Sequence, residues 1–285
     1  MTFTNYLQQQ RFSMATVNTY NKQLECFTQW LTDEQLSQSD MTYTELLDFI
    51  RWLQQQDKSK GVVRSHLCVL RHYFNYLIAE GMRTDNPAAG IFIRGMVKKP
   101  PGDLLSVQQM QQLYDQYSIQ LHVDLGKKIM LGLLVYQGLT TDEIERLQAA
   151  DVRLREGKVF IHGTSRSNER WLKLEAVQVV DLQHYLAANR FKAGALLAGQ
   201  KKGFISANNI INQVNSIMRQ LRRLNPKVQN AQQLRSSVIT GWLKQYNLRQ
   251  VQYMAGHKYV SSTQRYQLSA LEDLQRSVRQ HHPMG

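Results

Sequence analysis

Apolar residues recur at helical spacing along most of the chain. Between Ser13 and Leu31, Val17, Tyr20, Leu24, Phe27 and Leu31 fall three or four apart, which predicts an amphipathic helix with Ser13 as its N-cap. Thr42-x-x-Glu45 has the form of a capping box and opens a second predicted helix carrying Leu46, Leu47, Ile50 and Leu53. A third is predicted between Ser59 and Glu80, with Val63, Leu67, Leu70, Phe74 and Leu77 on one face and Gly81 as its left-handed stop.

Pro and Gly then interrupt the pattern at Met96-Val-Lys-Lys-Pro-Pro-Gly-Asp103, the best linker in the sequence. Beyond it, Ser106 caps a predicted helix, an apolar one runs from Lys127 to Tyr136 and stops at Gly138, and Thr140 or Thr141 caps a short one ending at Leu147. Val159–His162 and Trp171–Leu174 are β-like and flank the polar loop 163–168, so they predict a hairpin. Helices are expected again at about 175–189, 208–224, 232–245 and 248–254. The expected class is mainly α with a small antiparallel sheet, in two domains: a helical one over 1–95, the linker 96–103, and a second domain over 104–285.

The formal net charge is +13, from 35 Lys and Arg against 22 Asp and Glu, so the partner sought is a polyanion, with double-stranded DNA first. The third helix concentrates Lys58, Lys60, Arg64, His66, Arg71 and His72, and the linker adds Lys98 and Lys99; these are the candidate DNA-binding side chains. Cys26 and Cys68 lie inside apolar helical patterns with no partner at ligand spacing, which predicts buried thiols in a reducing compartment and no metal site. No apolar run approaches membrane-spanning length and the first residues do not form a secretory signal, so a cytoplasmic, nucleoid-associated protein without a membrane partner is expected.

The chemistry is carried by the last quarter of the chain. Tyr253-Met-Ala-Gly256-His257 through Ser262-Thr263-Gln264-Arg265-Tyr266 resembles the final catalytic motif of the tyrosine recombinase, or phage integrase, family, with the tyrosine nine residues after the histidine. Gln232-Gln-Leu-Arg235-Ser-Ser resembles the family's His-x-Leu-Arg-His-Thr segment. Tyr136-Gln-Gly138-Leu-Thr140-Thr-Asp-Glu143-Ile-Glu-Arg-Leu147 is similar to its Thr-Gly-Leu-Arg-x-x-Glu-Leu box, and Asn86-Pro87-Ala88 to the end of its helical core-binding domain. The resemblance spans essentially the whole chain. It implies a helical core-binding domain followed by a tyrosine-recombinase catalytic domain, closing as a C-shaped clamp on duplex DNA.

It also implies a reaction: Tyr266 attacks a phosphate to give a 3′-phosphotyrosyl link and a free 5′-hydroxyl, with no cofactor, because the covalent link keeps the bond energy for rejoining. Arg235 then offers its fork to the phosphate and His257 donates to an oxygen, while Glu143 supports the site. Thirteen tyrosines make a lone Tyr uninformative, so Tyr266 rests on its spacing from His257. Three departures stand out: Thr140 replaces the first arginine, Gln232 replaces a histidine, and Asn168 falls on the general-acid lysine. Arg166, or Arg146 one turn beyond Glu143, is the expected replacement charge. Two readings therefore stay open, an active site-specific recombinase and a degenerate DNA-binding partner protein. A type IB topoisomerase shares the chemistry, but the compact helical N-terminal domain favours recombination. The family resemblance further implies a homo-oligomer, a tetramer on two DNA sites, with the amphipathic tail 268–279 docking on a neighbour; packing of that tail in cis is the other possibility.

Overall fold

The structure is a computed structural model that describes residues 1–39, 41–94, 103–121, 124–189, 194–197 and 207–267. The chain forms two compact units, Met1–Val97 and Lys98–Gly285. Most of the expected linker, with Lys98 and Lys99, and the tail beyond Gln267 lie outside the described residues.

The first unit consists of α1 (Phe3–Gln9), α2 (Met14–Asp33), α3 (Tyr43–Gln55) and α4 (Lys60–Ala79). Thr2, Ser13, Thr42 and Ser59 cap their helices through side-chain oxygens that accept from the first-turn amides, and Thr42 with Glu45 closes the expected capping box. The helix α1 was not anticipated; it is too short to show a period. The apolar faces of α2, α3 and α4 meet around Phe27, Phe49, Phe74 and Leu67, with Phe27 and Phe49 edge to face at 5.0 Å.

In the second unit, α6 (Leu125–Val135) is apolar on all sides, with Ile129 to Val135 buried, and its neighbours are α5 (Val107–Leu121), α8 (Ala176–Asn189), α9 (Ala207–Leu224) and α10 (Ala231–Leu243). The short α7 (Thr141–Arg146) precedes an antiparallel sheet in the order β1 (Val152–Arg153), β2 (Lys158–Ile161) and β3 (Arg170–Lys173). Register pairs Val159 with Leu172 and Ile161 with Arg170, so these four side chains share the buried face. Leu248–Ala255 forms α11, and residues 260–267 are helical.

One expectation needs correction. Both cysteines are free but only half-buried, since Cys26 and Cys68 lie at the margins of the helix packing and Cys68 Sγ is 3.5 Å from the Tyr20 hydroxyl. Among the described residues no helix is long and apolar enough to cross a membrane.

Candidate active site

The inner face of α10 carries Leu234, Val238 and Ile239 into the core, and the same periodicity turns Arg235 inward. Its Nη1 donates to the Gly138 carbonyl at 2.5 Å and its Nη2 to the Ala255 carbonyl at 2.7 Å, tying α10 to the end of α6 and to α11. Gly138 sits at φ +59°, and an added Cβ would press on Val238 at 3.2 Å, so glycine alone gives this carbonyl its approach. Burial lowers the Arg235 pKa and nearby Arg170 adds to that, while Glu143 and Tyr266 oppose it.

Glu143 comes from the first turn of α7. Thr140, not Thr141, is the N-cap: its hydroxyl accepts from the Glu143 amide at 3.3 Å, and Glu143 Oε2 accepts from the Thr140 amide at 2.9 Å. The other carboxylate oxygen receives Arg170 Nη1 at 2.7 Å, and Arg235 Nη1 lies 3.7 Å from Oε2. Both side chains of the Arg170–Glu143 pair are fully buried. Burial alone would raise the carboxyl pKa, yet the Arg170 hydrogen bond and charge, the Thr140 amide and Arg235 together hold it at about 2.

Arg170 was not singled out from the sequence, although a signal for it existed: alternation in Arg170-Trp171-Leu172 puts Arg170 on the same inward face as Leu172. Besides Glu143, it donates from Nε to the Met254 carbonyl at 2.7 Å and from Nη1 to the Asn168 carbonyl at 3.2 Å. Asn168 in turn donates its amide to the Gly256 carbonyl at 2.8 Å, and Ser167 pairs with His257 across a short bridge. The guanidinium fills the space beside Gly256, where a Cβ would come within 2.8 Å of Arg170 Cζ and where φ is +69°. The hairpin loop and the turn carrying His257 are thus fastened to each other by backbone pairing and by Arg170.

His257 Nδ1 lies 2.8 Å from Thr263 Oγ1, leaving Nε2 as the nitrogen free to meet a ligand. Burial lowers its pKa to about 4, helped by Arg235, Arg265 and Arg170, so the ring is neutral near pH 7. It stacks at 5.9 Å and 11° on Tyr266. Tyr266 is 1% exposed and packs with Ile239, Val251 and Ala255; its hydroxyl accepts from Arg265 Nη2 at 3.1 Å. Two buried guanidiniums facing one carboxylate, with a neutral imidazole and a phenol, leave a net positive charge at the centre of the constellation, an arrangement suited to an anion.

Of the sequence candidates, Arg235, Glu143, His257 and Tyr266 belong to this constellation. Gln232 is exposed at the start of α10. Arg166 is also exposed: the Thr164 hydroxyl accepts from the amides of Arg166 and Ser167 and folds the loop tightly, so the loop-side cation that meets Glu143 is Arg170 and not Arg166. Arg146, in the last turn of α7, lines an open cleft with His162 and Glu169. In the first unit, Lys58 and Lys60 line a cleft with Arg94 and the exposed Phe92, and Arg64 is exposed on α4. Arg71 is half-buried and already partnered. Its Nε donates to the Ala88 carbonyl at 3.1 Å, its Nη2 to that of Ile91, and it lies over Phe92, so it anchors the Asn86-Pro87-Ala88 segment on α4. His66 is buried against Phe49 and His72 lies between Phe12 and Tyr20; neither is placed as a phosphate contact. Among the described residues no cluster of three or more His, Cys, Asp or Glu is placed to hold a metal.

The profile of the phage integrase N-terminal SAM-like domain matches residues 1–81, and that of the phage integrase family matches residues 103–272. The tyrosine recombinase XerD of Proteus mirabilis is 29% identical over 297 aligned positions, covering 97% of this chain and 90% of the relative. Among solved structures, XerH site-specific recombinase bound to palindromic difH substrate, in a post-cleavage complex, superposes with a TM-score of 0.75 at 19% identity over 93% of this chain and 80% of that one. A lambda integrase tetramer bound to a Holliday junction gives 0.70 at 15% identity over 93% and 74%. With both profiles matched in order and the Arg235–His257–Tyr266 constellation inside the second, the chain belongs to the phage integrase family.

Proposed function

We propose that the chain is a site-specific DNA recombinase that breaks and rejoins duplex DNA, with Tyr266 as nucleophile and Arg235 and His257 as the groups that hold the scissile phosphate. The observation that carries this reading is that Arg235 on α10, the His257–Tyr266 segment, Glu143 on α7 and Arg170 on β3 are held in one largely buried network with a net positive charge. Tyr266 Oη bonds to phosphorus as the bond to the 5′-oxygen breaks; the phenolic proton leaves to solvent, and the 5′-oxygen departs as a hydroxyl after taking a proton from water. Water serves because the Asn168 amide cannot act as an acid. Since Tyr266 is buried, residues 260–267 must swing outward for the phenol to reach DNA. Rejoining is the same displacement reversed by an incoming 5′-hydroxyl.

In this reading residues 1–95 are the core-binding domain, with Lys58, Lys60, Arg64 and Arg94 against the phosphates, and residues 104–285 the catalytic domain. Lys98 and Lys99 add charge between them. The working form is a homotetramer on two DNA sites, acting in the cytoplasm at the nucleoid; the lambda integrase tetramer supports that stoichiometry by analogy.

The test is a nicked suicide duplex carrying the target recovered by pull-down. Wild type is expected to give a denaturation-resistant adduct on the 3′ side of the break, and Tyr266→Phe to give none while binding DNA as before. An adduct from Tyr266→Phe, or tight site-specific binding with no wild-type adduct, would overturn the proposal, the latter in favour of a degenerate DNA-binding partner.

A further inference from the structure

We infer that Arg170 is a positioning residue of this active site: by taking up the charge of Glu143, it leaves Arg235 its own charge for the phosphate. The inference rests on the recombinase reading above and deepens it.

Glu143 is completely buried and cannot be neutralised by water, so its charge must be met by protein. Thr140 stands at the cap of α7 where the resemblance places an arginine, and threonine offers Glu143 hydrogen bonds but no charge. Arg170 supplies that charge from the other side, through the strand. It is 2.7 Å from Glu143 against 3.7 Å for Arg235, so the tight pair is Arg170–Glu143 and Arg235 is the looser third member. Arg235 directs its fork to two carbonyls, which compensate its dipoles without cancelling its charge. Remove Arg170, and Glu143 and Arg235 become a closed neutral pair in a low-dielectric pocket, where such a pair is strongly bound. A phosphate arriving there would meet a cation already spent.

A purely mechanical alternative exists, because Arg170 also fastens Met254 and Asn168. The two roles differ in what a second substitution does. If charge is the issue, Glu143→Gln frees Arg235 even when Arg170 is gone; if fastening is the issue, removing a further hydrogen-bond partner can only make matters worse.

The experiment compares full-length wild type, Arg170→Gln, Arg170→Lys and the Arg170→Gln/Glu143→Gln double variant, with folding verified by circular dichroism. Adduct formation on the suicide duplex is expected to fall about 100-fold in Arg170→Gln, the usual scale for losing charge stabilisation at a reacting centre, and to recover about tenfold in the double variant. Arg170→Lys keeps the charge but loses the fork, and is expected to stay within about tenfold of wild type. A second readout does not need cleavage: the His257 imidazole, its pKa lowered by burial and by the arginines around it, senses local charge, and its NMR titration midpoint is expected to rise in Arg170→Gln and to come back down in the double variant. A double variant no faster than the single one, or a folded Arg170→Lys as slow as Arg170→Gln, would overturn the inference. If wild type itself formed no adduct, the recombinase reading would fall on its own, and an unmoved His257 midpoint would then sink the role of Arg170 separately.

Discussion

The two sides of the active site have fared differently. On the side built by α10, α11 and residues 260–267, Arg235, His257 and Tyr266 all stand where the resemblance puts a phosphate ligand, a donor and a nucleophile, and each is fixed by buried partners. On the side built by α7 and the β2–β3 hairpin, the resemblance sets Thr140 and Asn168 against a cation and an acid of the family, and the loop's own cation, Arg166, is exposed. What this second side retains is an inward ion pair, Arg170–Glu143, that links it to the first. Positive charge at a phosphate is a property of a whole pocket and can be delivered by another buried guanidinium. Proton donation to one leaving oxygen is a property of one atom in one place; on the proposed reading, charge is kept by rearrangement while the acid is not.

That contrast can be broken on the intact side first. Arg235→Ala removes a buried cation and orphans the Gly138 and Ala255 carbonyls, so adduct formation on the suicide duplex should drop by about 100- to 1,000-fold. DNA affinity in a salt titration should change far less, because most phosphate contacts lie elsewhere. A drop no larger than that of an exposed arginine would mean that Arg235 does not meet the phosphate.

Gly256→Ala tests the fastening between the two sides. The new Cβ would collide with Arg170 at a backbone φ of +69°, so denaturant unfolding of the variant should show a loss of about 3 kcal/mol, near the upper end for backbone strain at a single site. Cleavage should fall with it, since His257 follows directly.

The smallest effect is a pH dependence. His257 has a folded pKa of about 4 against an ordinary value near 6.5, so between these values the unfolded chain binds a proton that the folded one does not, and stability falls as pH drops through that window. Discounted for partial exposure of the ring, the loss is about 1–2 kcal/mol. Urea unfolding from pH 7 to 4 should show a flatter profile for His257→Gln than for wild type; identical slopes would contradict a neutral, buried His257.

Much of this was legible in the sequence, for reasons that differ by residue. Caps at Ser13 and Thr42 are local, each needing only a side chain and an amide two or three residues on, and they could be read directly, while Thr140 was one of two candidates and the structure chooses it over Thr141. Arg235, His257 and Tyr266 were singled out through the resemblance of their motifs to the family's, and the structure brings the three together. Arg170 was passed over in favour of Arg166 because a polar loop with an arginine at its tip invites a surface role, whereas the inward face of a four-residue strand shows only in the alternation with Leu172. The partners of Arg71 were not legible, because charge on a helix says nothing of the carbonyls of Ala88 and Ile91 that fold back onto it. The helix α1 carries too few turns for a period to emerge.

The division between retained charge and lost acid is tested most directly by substituting sulfur for the bridging 5′-oxygen at the scissile phosphate. A thiolate leaves without being protonated, so a protein lacking only the general acid should cleave the sulfur duplex much faster than the oxygen one, by the roughly 100- to 10,000-fold that such an acid contributes. The measurement is the ratio of single-turnover adduct rates on the two suicide duplexes, with Tyr266→Phe as the control that should cleave neither. A large ratio in wild type is the predicted result. Equal rates on both duplexes would show that a proton donor is in place after all, and the account of the β2–β3 side would be wrong.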